Sequence, residues 1–226
     1  MRKHNLLNLD LEQLVTNVKS EDNIKATRNI FTTMSTDPVY GNIALELIDN
    51  CKPETRAFLY YVAKEIKPLS YLEVGTRRGW SCGAVVSASP KCEIYAFDEW
   101  HENYGGSPNP GPKFVQEEML KFGYKKPINF INGDSHKTLK EFFANNPDKM
   151  FDLMLIDGDH TVDGAWQDLT DTMSHIAING VMVFDDIVDC DGLNRIWNEL
   201  KDVYPNFKYL AYTGNKPGVA IAIRVE

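Results

Sequence analysis

Basic charge is scarce in this chain of 226 residues: 24 lysines and arginines stand against 32 aspartates and glutamates, for a net charge of −8. A nucleic-acid-binding surface usually declares itself as a basic patch, so no nucleic-acid partner is expected. Cysteine is scarce as well. Cys51, Cys82, Cys92 and Cys190 form no C-x-x-C pair and are too few for a disulfide scaffold, so they read as reduced thiols. No apolar run approaches the length that spans a bilayer, so no membrane partner is expected. Behind Arg2, Lys3 and His4 there is no apolar segment of the kind a secretion signal carries. Repeats and low-complexity segments are missing. So are two glycine signatures, G-x-G-x-x-G and G-x-x-x-x-G-K-[ST], which weighs against a nicotinamide, flavin or P-loop nucleotide site. What is left is a cytoplasmic globular protein whose length suits one large domain or a domain with an extension.

The first third of the chain has helical periodicity and no clear strand. Leu9, Leu11, Leu14, Val15 and Val18 recur at helical spacing, Asp37-Pro38 marks a break, and a better helix starts at Lys52-Pro53-Glu54-Thr55 and ends at Lys67-Pro68. Residues 1–68 therefore read as a helical extension, with a second unit over 69–226. From Ser70 the rhythm alternates strand and helix. Strands are expected at 71–74, 93–97, 128–131, 151–156 and 180–184, with helices at 80–88, 114–122, 137–144, 162–176 and 193–203. Two closing strands, 207–212 and 219–225, are joined by the glycine-bearing connector 213–218, which reads as a hairpin. The alternation predicts an α/β fold with a mostly parallel, doubly wound sheet, and the hairpin forces one antiparallel strand.

The informative residues sit where strands end. In open α/β sheets, ligands bind outside the carboxyl ends of the strands. The apolar run of Asp152-Leu-Met-Leu-Ile-Asp157-Gly-Asp-His160 stops in two acids and a histidine. Glu73-Val-Gly75-Thr-Arg-Arg-Gly79-Trp-Ser81 spans the turn from the first strand into its helix, where glycine permits a tight turn and close backbone approach to a ligand. Asp98 closes the second strand, Gly133-Asp134-Ser135 follows the third, and Asp185-Asp186 closes the fifth. Each of these acids taken alone reads equally as a turn residue or a helix cap. Acids at successive strand ends in chain order point together to one site. The irregular stretch Glu99–Pro112, with Trp100, His101, Tyr104 and three prolines, reads either as a lid or as a surface loop.

This series of motifs resembles the class I S-adenosylmethionine-dependent methyltransferases over about residues 55–226. More narrowly it resembles the divalent-metal-dependent O-methyltransferases of the macrolide-sugar and cephalosporin-hydroxylase-like D-G-x-H type. The resemblance implies a Rossmann-like seven-stranded sheet whose last strand inserts antiparallel beside the sixth. It implies S-adenosylmethionine bound by Glu73, Gly75, Thr76, Arg77, Gly79, Trp80 and Ser81, with Asp98 at the ribose, Gly133, Asp134 and Ser135 at the adenine, and Asp157 bordering the donor. It implies Mg²⁺, or another divalent cation, on Asp157, Asp185 and Asp186, an oxygen set that suits a hard ion. His160, three residues after Asp157, takes the place of a general base. The expected reaction is methyl transfer to a hydroxyl of a small molecule, a sugar or natural product. The alternatives are a metal-independent methyltransferase acting on another nucleophile and a non-catalytic S-adenosylmethionine-binding protein. The leucines of the N-terminal helices are compatible with a homo-oligomer.

Overall fold

In a computed structural model, the described residues are 4–35, 37 and 40–226; Arg2, Lys3 and the Pro38 of the expected break lie outside them. The N-terminal region is helical: a 3₁₀ turn at Asn5–Asn8, then α1 (Leu11–Val18), α2 (Glu21–Thr33), α3 (Gly41–Asp49) and α4 (Thr55–Ile66). Asp10 and Gln13 close a capping box at the start of α1, each side chain accepting the other's backbone N–H. Glu54 caps α4 by accepting the Ala57 N–H at 3.0 Å, and Lys67, left-handed at φ 49°, ends the helix before Pro68.

The alternation that follows is β1 (Ser70–Val74), α5 (Trp80–Ala88), β2 (Glu93–Asp98), α6 (Pro112–Leu120), β3 (Asn129–Asn132), α7 (Ser135–Asn145), β4 (Phe151–Ile156), α8 (Val162–Met173), β5 (Ile176–Phe184), α9 (Leu193–Val203), β6 (Phe207–Tyr212) and β7 (Val219–Arg224). The seven strands form one sheet in the order β3-β2-β1-β4-β5-β7-β6. β1 to β5 run parallel, and β7 lies antiparallel between β5 and β6. The expected Rossmann-like sheet with an antiparallel C-terminal hairpin strand is therefore what the chain forms.

Strand periodicity explains the layering. Leu153 and Leu155 of β4 face a cluster shared with α1, α2, α4 and α5, whereas Met154 and Ile156 face a second cluster with α7, α8 and α9. The N-terminal helices thus contribute Leu14, Ile30, Phe58 and Val62 to the same core as one face of the sheet. The strand ends are in step: Val74 pairs with Phe97 and with Ile156, and Ile156 pairs with Phe184. Gly75, Asp98, Asp157 and Asp185 consequently emerge side by side at one edge.

The largest departure from the expected extents is at the junction of α8 and β5. The helix expected over 162–176 stops at Met173, and Ile176 already pairs with Phe151 at the start of a long β5. Apolar periodicity reads straight through this junction because Met173 and Ile176 are both buried. The break is made by the backbone: Phe151 N–H donates to His175 O at 2.8 Å, and Asn179 turns left-handed at φ 62°. The register slips between Phe151 and Leu153, so the early part of β5 bulges before the regular ladder begins.

Buried Asn23 ties the N-terminal helices to one another. Its Nδ2 donates to Val18 O at 2.9 Å and to Ala57 O at 3.1 Å, joining the α1–α2 turn to α4. Asn23→Ala removes both of these buried hydrogen bonds and should lower the stability measured by urea unfolding by about 1–3 kcal/mol. A change below a few tenths of a kcal/mol would show that α1 and α2 are not held to α4 through this residue.

Candidate functional site

The turn after β1 is built on a backbone contact. Gly75 sits at φ +88°, and a Cβ there would lie 1.9 Å from the backbone oxygen of Asp157. Only glycine lets the ends of β1 and β4 come this close. Gly79, at φ +78°, caps α5, and a Cβ there would meet a Val115 methyl at 2.6 Å. Its role is packing against α6. Glu73 is fully buried and does not reach the cavity described below: it accepts hydrogen bonds from Tyr71 Oη at 2.6 Å and Cys82 Sγ at 3.0 Å. Burial pushes its carboxyl up, against the hydrogen bonds from Tyr71 and Cys82. The direct ligand contact expected of Glu73 is therefore replaced by support of the turn from beneath.

A cavity of about 970 Å³ opens along the carboxyl edge of the sheet. Thr76, Arg77, Trp80, Ser81, Asp98, Gly133, Asp134, Ser135, Asp157, His160, Asp185 and Asp186, all expected at the site, line it. Asp98 is already engaged: it accepts the Arg77 N–H at 2.6 Å and, with its other oxygen, the N–H of Trp100. It fixes the two turns that frame the cavity. Asp134 caps α7 by accepting the His136 N–H at 3.0 Å. Asp159 accepts the Thr161 N–H at 2.7 Å, and its carboxylate lies against Gly164, where a Cβ would come within 2.0 Å of Oδ2. The aspartate between Asp157 and His160 is thus the brace of the turn into α8. Buried Asp168 beneath it has its carboxyl pushed up to about 6, by burial first, with the Ser135 hydrogen bond and His136 acting the other way.

The stretch Glu99–Pro112 forms one wall. Ser107 Oγ donates to Asp37 Oδ2 at 2.9 Å, and the same oxygen lies 3.4 Å from Arg77 Nη2 and 3.8 Å from Arg78 Nε. The Arg77 guanidinium lies 4.4 Å over the Tyr40 ring, and Arg78 Nη1 donates to Pro108 O at 3.3 Å. Buried Asp37 thereby fastens the wall to the turn after β1. No sequence motif indicated Asp37 or Tyr40, because their contacts are set by tertiary packing.

At the ends of β4 and β5 an arginine enters the expected acid set. Arg56, in the first turn of α4, places Nη1 3.3 Å from Glu54 Oε2 and 3.4 Å from Asp185 Oδ2, and Nη2 3.8 Å from Asp157 Oδ2. Burial opposes its charge, but Glu54, Asp185 and Asp157 outweigh burial and hold the guanidinium protonated. Asp185 is only 3% exposed. Its Oδ1 accepts from the Thr55 hydroxyl and from the Asp186 N–H at 2.8 Å. Burial raises its carboxyl well above the usual range, reinforced by Asp157 and Asp186 and opposed by Arg56. Asp186, at φ 60°, is pushed up to about 6 by burial and then by Asp157. His160 lies between two carboxylates, Nε2 3.4 Å from Asp157 Oδ1 and Nδ1 3.2 Å from Asp186 Oδ2. The Asp157 hydrogen bond, with the neighbouring aspartates, raises the imidazole to about 9 against desolvation.

Mg²⁺ on Asp157, Asp185 and Asp186 does not fit this arrangement. Such an ion takes carboxylate oxygens at about 2.0–2.1 Å in an octahedron. Here both oxygens of Asp185 are engaged by Thr55, the Asp186 N–H and Arg56, and Arg56 bridges toward Asp157. Among the described residues, the groups whose ligand atoms converge for one ion are instead His160, Asp186 and Cys190, which is not an all-oxygen set. In the sequence, Glu54-Thr55-Arg56 reads only as a helix start, and nothing local marks Arg56 as part of the site.

A model of the methyltransferase domain family matches residues 72–187, about half of the chain, from β1 to just past Asp186. Comparison with curated proteins finds no match. Among solved structures, SAH-bound PaMTH1, a methyltransferase of Podospora anserina, is 19% identical, with 92% of this chain and 89% of that one covered and a TM-score of 0.56. The O-methyltransferase TomG of Streptomyces achromogenes, solved with SAM, is 16% identical over 85% of this chain and 92% of its own, with a TM-score of 0.60. CalS11, a TDP-rhamnose 3′-O-methyltransferase of calicheamicin biosynthesis, is 16% identical over 90% of this chain and 95% of its own, with a TM-score of 0.55. At these identities the structural likeness speaks for the fold.

The β1–β4 contact is separable from simple backbone strain. Gly75→Ala adds a clash with the Asp157 backbone, whereas Gly111→Ala meets nothing within 4 Å although its φ is +80°. Urea unfolding should show a loss of roughly 1–3 kcal/mol for Gly111→Ala, from backbone strain alone at φ 80° and ψ −179°, and of about 4 kcal/mol or more for Gly75→Ala, where the clash adds to the strain. Equal losses would mean that the close approach of β1 to Asp157 is not required.

Proposed function

The chain belongs to the methyltransferase domain family, and from that membership we propose that it transfers a methyl group from S-adenosylmethionine to a hydroxyl of a small molecule, with His160 taking the acceptor's proton. The observation that carries this reading is the placing of His160 between Asp157 and Asp186 on the wall of the cavity that also runs past Gly75, Asp98 and Asp134. S-adenosylmethionine, when bound, supplies an electrophilic methyl on a sulfonium.

The residues of the chain divide the remaining work. The turn Gly75–Ser81 and the first N–H groups of α5 bound the donor's polar end, where a helix N-terminus favours a carboxylate. Asp134, Ser135 and His136 border the far end of the cavity. The acid-rich side at Asp157, Asp185 and Asp186 suits a cationic donor. Holding the acceptor oxygen in line with the methyl is a matter of positioning by the cavity walls. As the oxygen–carbon bond forms, the sulfur–carbon bond breaks and sulfur keeps its electron pair. The hydroxyl proton passes to His160 and from there to solvent. Asp157 and Asp186 orient the imidazole and stabilise it once charged. CalS11, a sugar O-methyltransferase, and TomG, an O-methyltransferase of tomaymycin synthesis, support a sugar or natural-product acceptor.

The sign of the pH dependence follows from His160. With its imidazole raised to about 9, the neutral form that accepts a proton is the minor form at pH 7 and grows about tenfold per pH unit. Methyl transfer followed with methyl-labelled donor over a panel of phenolic and sugar acceptors should therefore give a kcat/KM that rises from pH 6 toward about 9. The positive charge of a bound donor moves the corresponding limb of kcat lower. His160→Ala should reduce turnover by roughly 10²–10⁴-fold and leave S-adenosylhomocysteine affinity, measured by calorimetry, nearly unchanged. Turnover within twofold of the parent, or a profile flat from pH 6 to 9, would remove His160 from the role.

A further inference from the structure

We propose that Arg56 is the resident cation of the acid pocket at the ends of β4 and β5, standing where a divalent ion would otherwise bridge Asp157 and Asp185. The inference rests on the methyl-transfer reading for its purpose but on the geometry of the pocket for its content. Glu54, Asp157, Asp185 and Asp186 gather four carboxyl groups in a mostly buried space, and such charge needs a counter-charge. The guanidinium supplies it from the first turn of α4. One nitrogen reaches Glu54 and Asp185 at once, and the other faces Asp157.

Three observations fix Arg56 in this place. Its carrier helix is deeply seated: Ala57, Phe58, Leu59, Val62 and Ala63 are fully buried, so the backbone of Arg56 has little freedom. The two residues before it serve the same pocket. Glu54 caps the helix and binds the guanidinium, while Thr55 donates to the Asp185 oxygen that Arg56 does not use. Asp185 is thus saturated by one three-residue segment, and a divalent ion would have to displace contacts from each of its oxygens.

The pocket also retains donor capacity. Among the described residues, the hydrogen bonds of the Arg56 guanidinium run from Nη1, while Nη2 lies 3.8 Å from Asp157 Oδ2. Nη2 therefore faces Asp157 without a short hydrogen bond, and Arg56 and His160 both line the cavity. A guanidinium offers an oxygen directed hydrogen bonds that carry charge, where a metal would offer a coordination position. The transferase of this reading needs no divalent cation.

Metal competition tests the assignment independently of any acceptor. EDTA-washed full-length protein, saturated with S-adenosylhomocysteine, is titrated with Mn²⁺ and followed by electron spin resonance. The parent protein and Arg56→Lys should take up no Mn²⁺ at the pocket below about 1 mM. Arg56→Met, which empties the space but keeps its apolar stem, should gain a site roughly tenfold tighter or more, lost again when Asp157→Asn is added. Stoichiometric Mn²⁺ binding by the parent protein that Asp157→Asn abolishes would overturn the proposal. So would an Arg56→Met protein that binds S-adenosylhomocysteine normally and gains no Mn²⁺ site. If Arg56→Met does not fold, the titrations of the parent and Arg56→Lys still decide, because ion uptake by either refutes it. Failure of the parent protein to bind S-adenosylhomocysteine would refute the methyl-transfer reading instead and leave the Mn²⁺ result standing.

Discussion

Four carboxyl groups meet at the open ends of β4 and β5, and how their charge is balanced governs the rest of the site. Arg56 answers Glu54, Asp157 and Asp185, and His160 answers Asp157 and Asp186. Each cation is held by more than one anion, so neither can move without leaving a buried carboxylate exposed to its neighbours. Asp157 is shared between the two cations. It couples the segment that enters from α4 to the histidine that leaves from β4.

That coupling depends on the frame beneath it. Gly75 allows β1 to lie against the backbone of Asp157, and the matched register of Val74, Phe97, Ile156 and Phe184 brings four strand ends to one line. The N-terminal helices are part of this frame. α4 fills the core with its apolar side and presents Glu54, Thr55 and Arg56 at the sheet edge from its first turn. Opposite, Asp37 receives Ser107, Arg77 and Arg78, so the wall from Glu99 to Pro112 is fastened to the turn that follows β1. The cavity is bounded by the helical region on two sides, at Arg56 and at Asp37 and Tyr40.

The sheet was legible because period-two and helical patterns alternate cleanly from Ser70 onward, and because acids that interrupt apolar runs mark strand ends. Asp157, Asp185, Asp186 and His160 were brought together as expected, since adjacent parallel strands deliver consecutive ends to one edge. Glu73 was not legible in the same way. The family resemblance implied a ligand contact, but strand alternation turns it inward, to Tyr71 and Cys82. The boundary at Met173–Ile176 was hidden because buried residues continue across it while the backbone changes. Arg56 was hidden for a different reason. Charge partners more than 100 residues apart leave no local pattern, and only the packing of α4 on the sheet brings Arg56 to Asp157 and Asp185.

The central claim is that a protein side chain, and no divalent ion, bridges Asp157 and Asp185 in the working site. A crystal structure with S-adenosylhomocysteine, grown with Mn²⁺ and measured for anomalous scattering, tests it most directly. The account predicts S-adenosylhomocysteine along the ends of β1 to β4, the Arg56 guanidinium between Asp185 and Asp157, and no anomalous peak among these groups. A peak within about 2.0–2.2 Å of oxygens of Asp157 and Asp185, with Arg56 swung out, would contradict it.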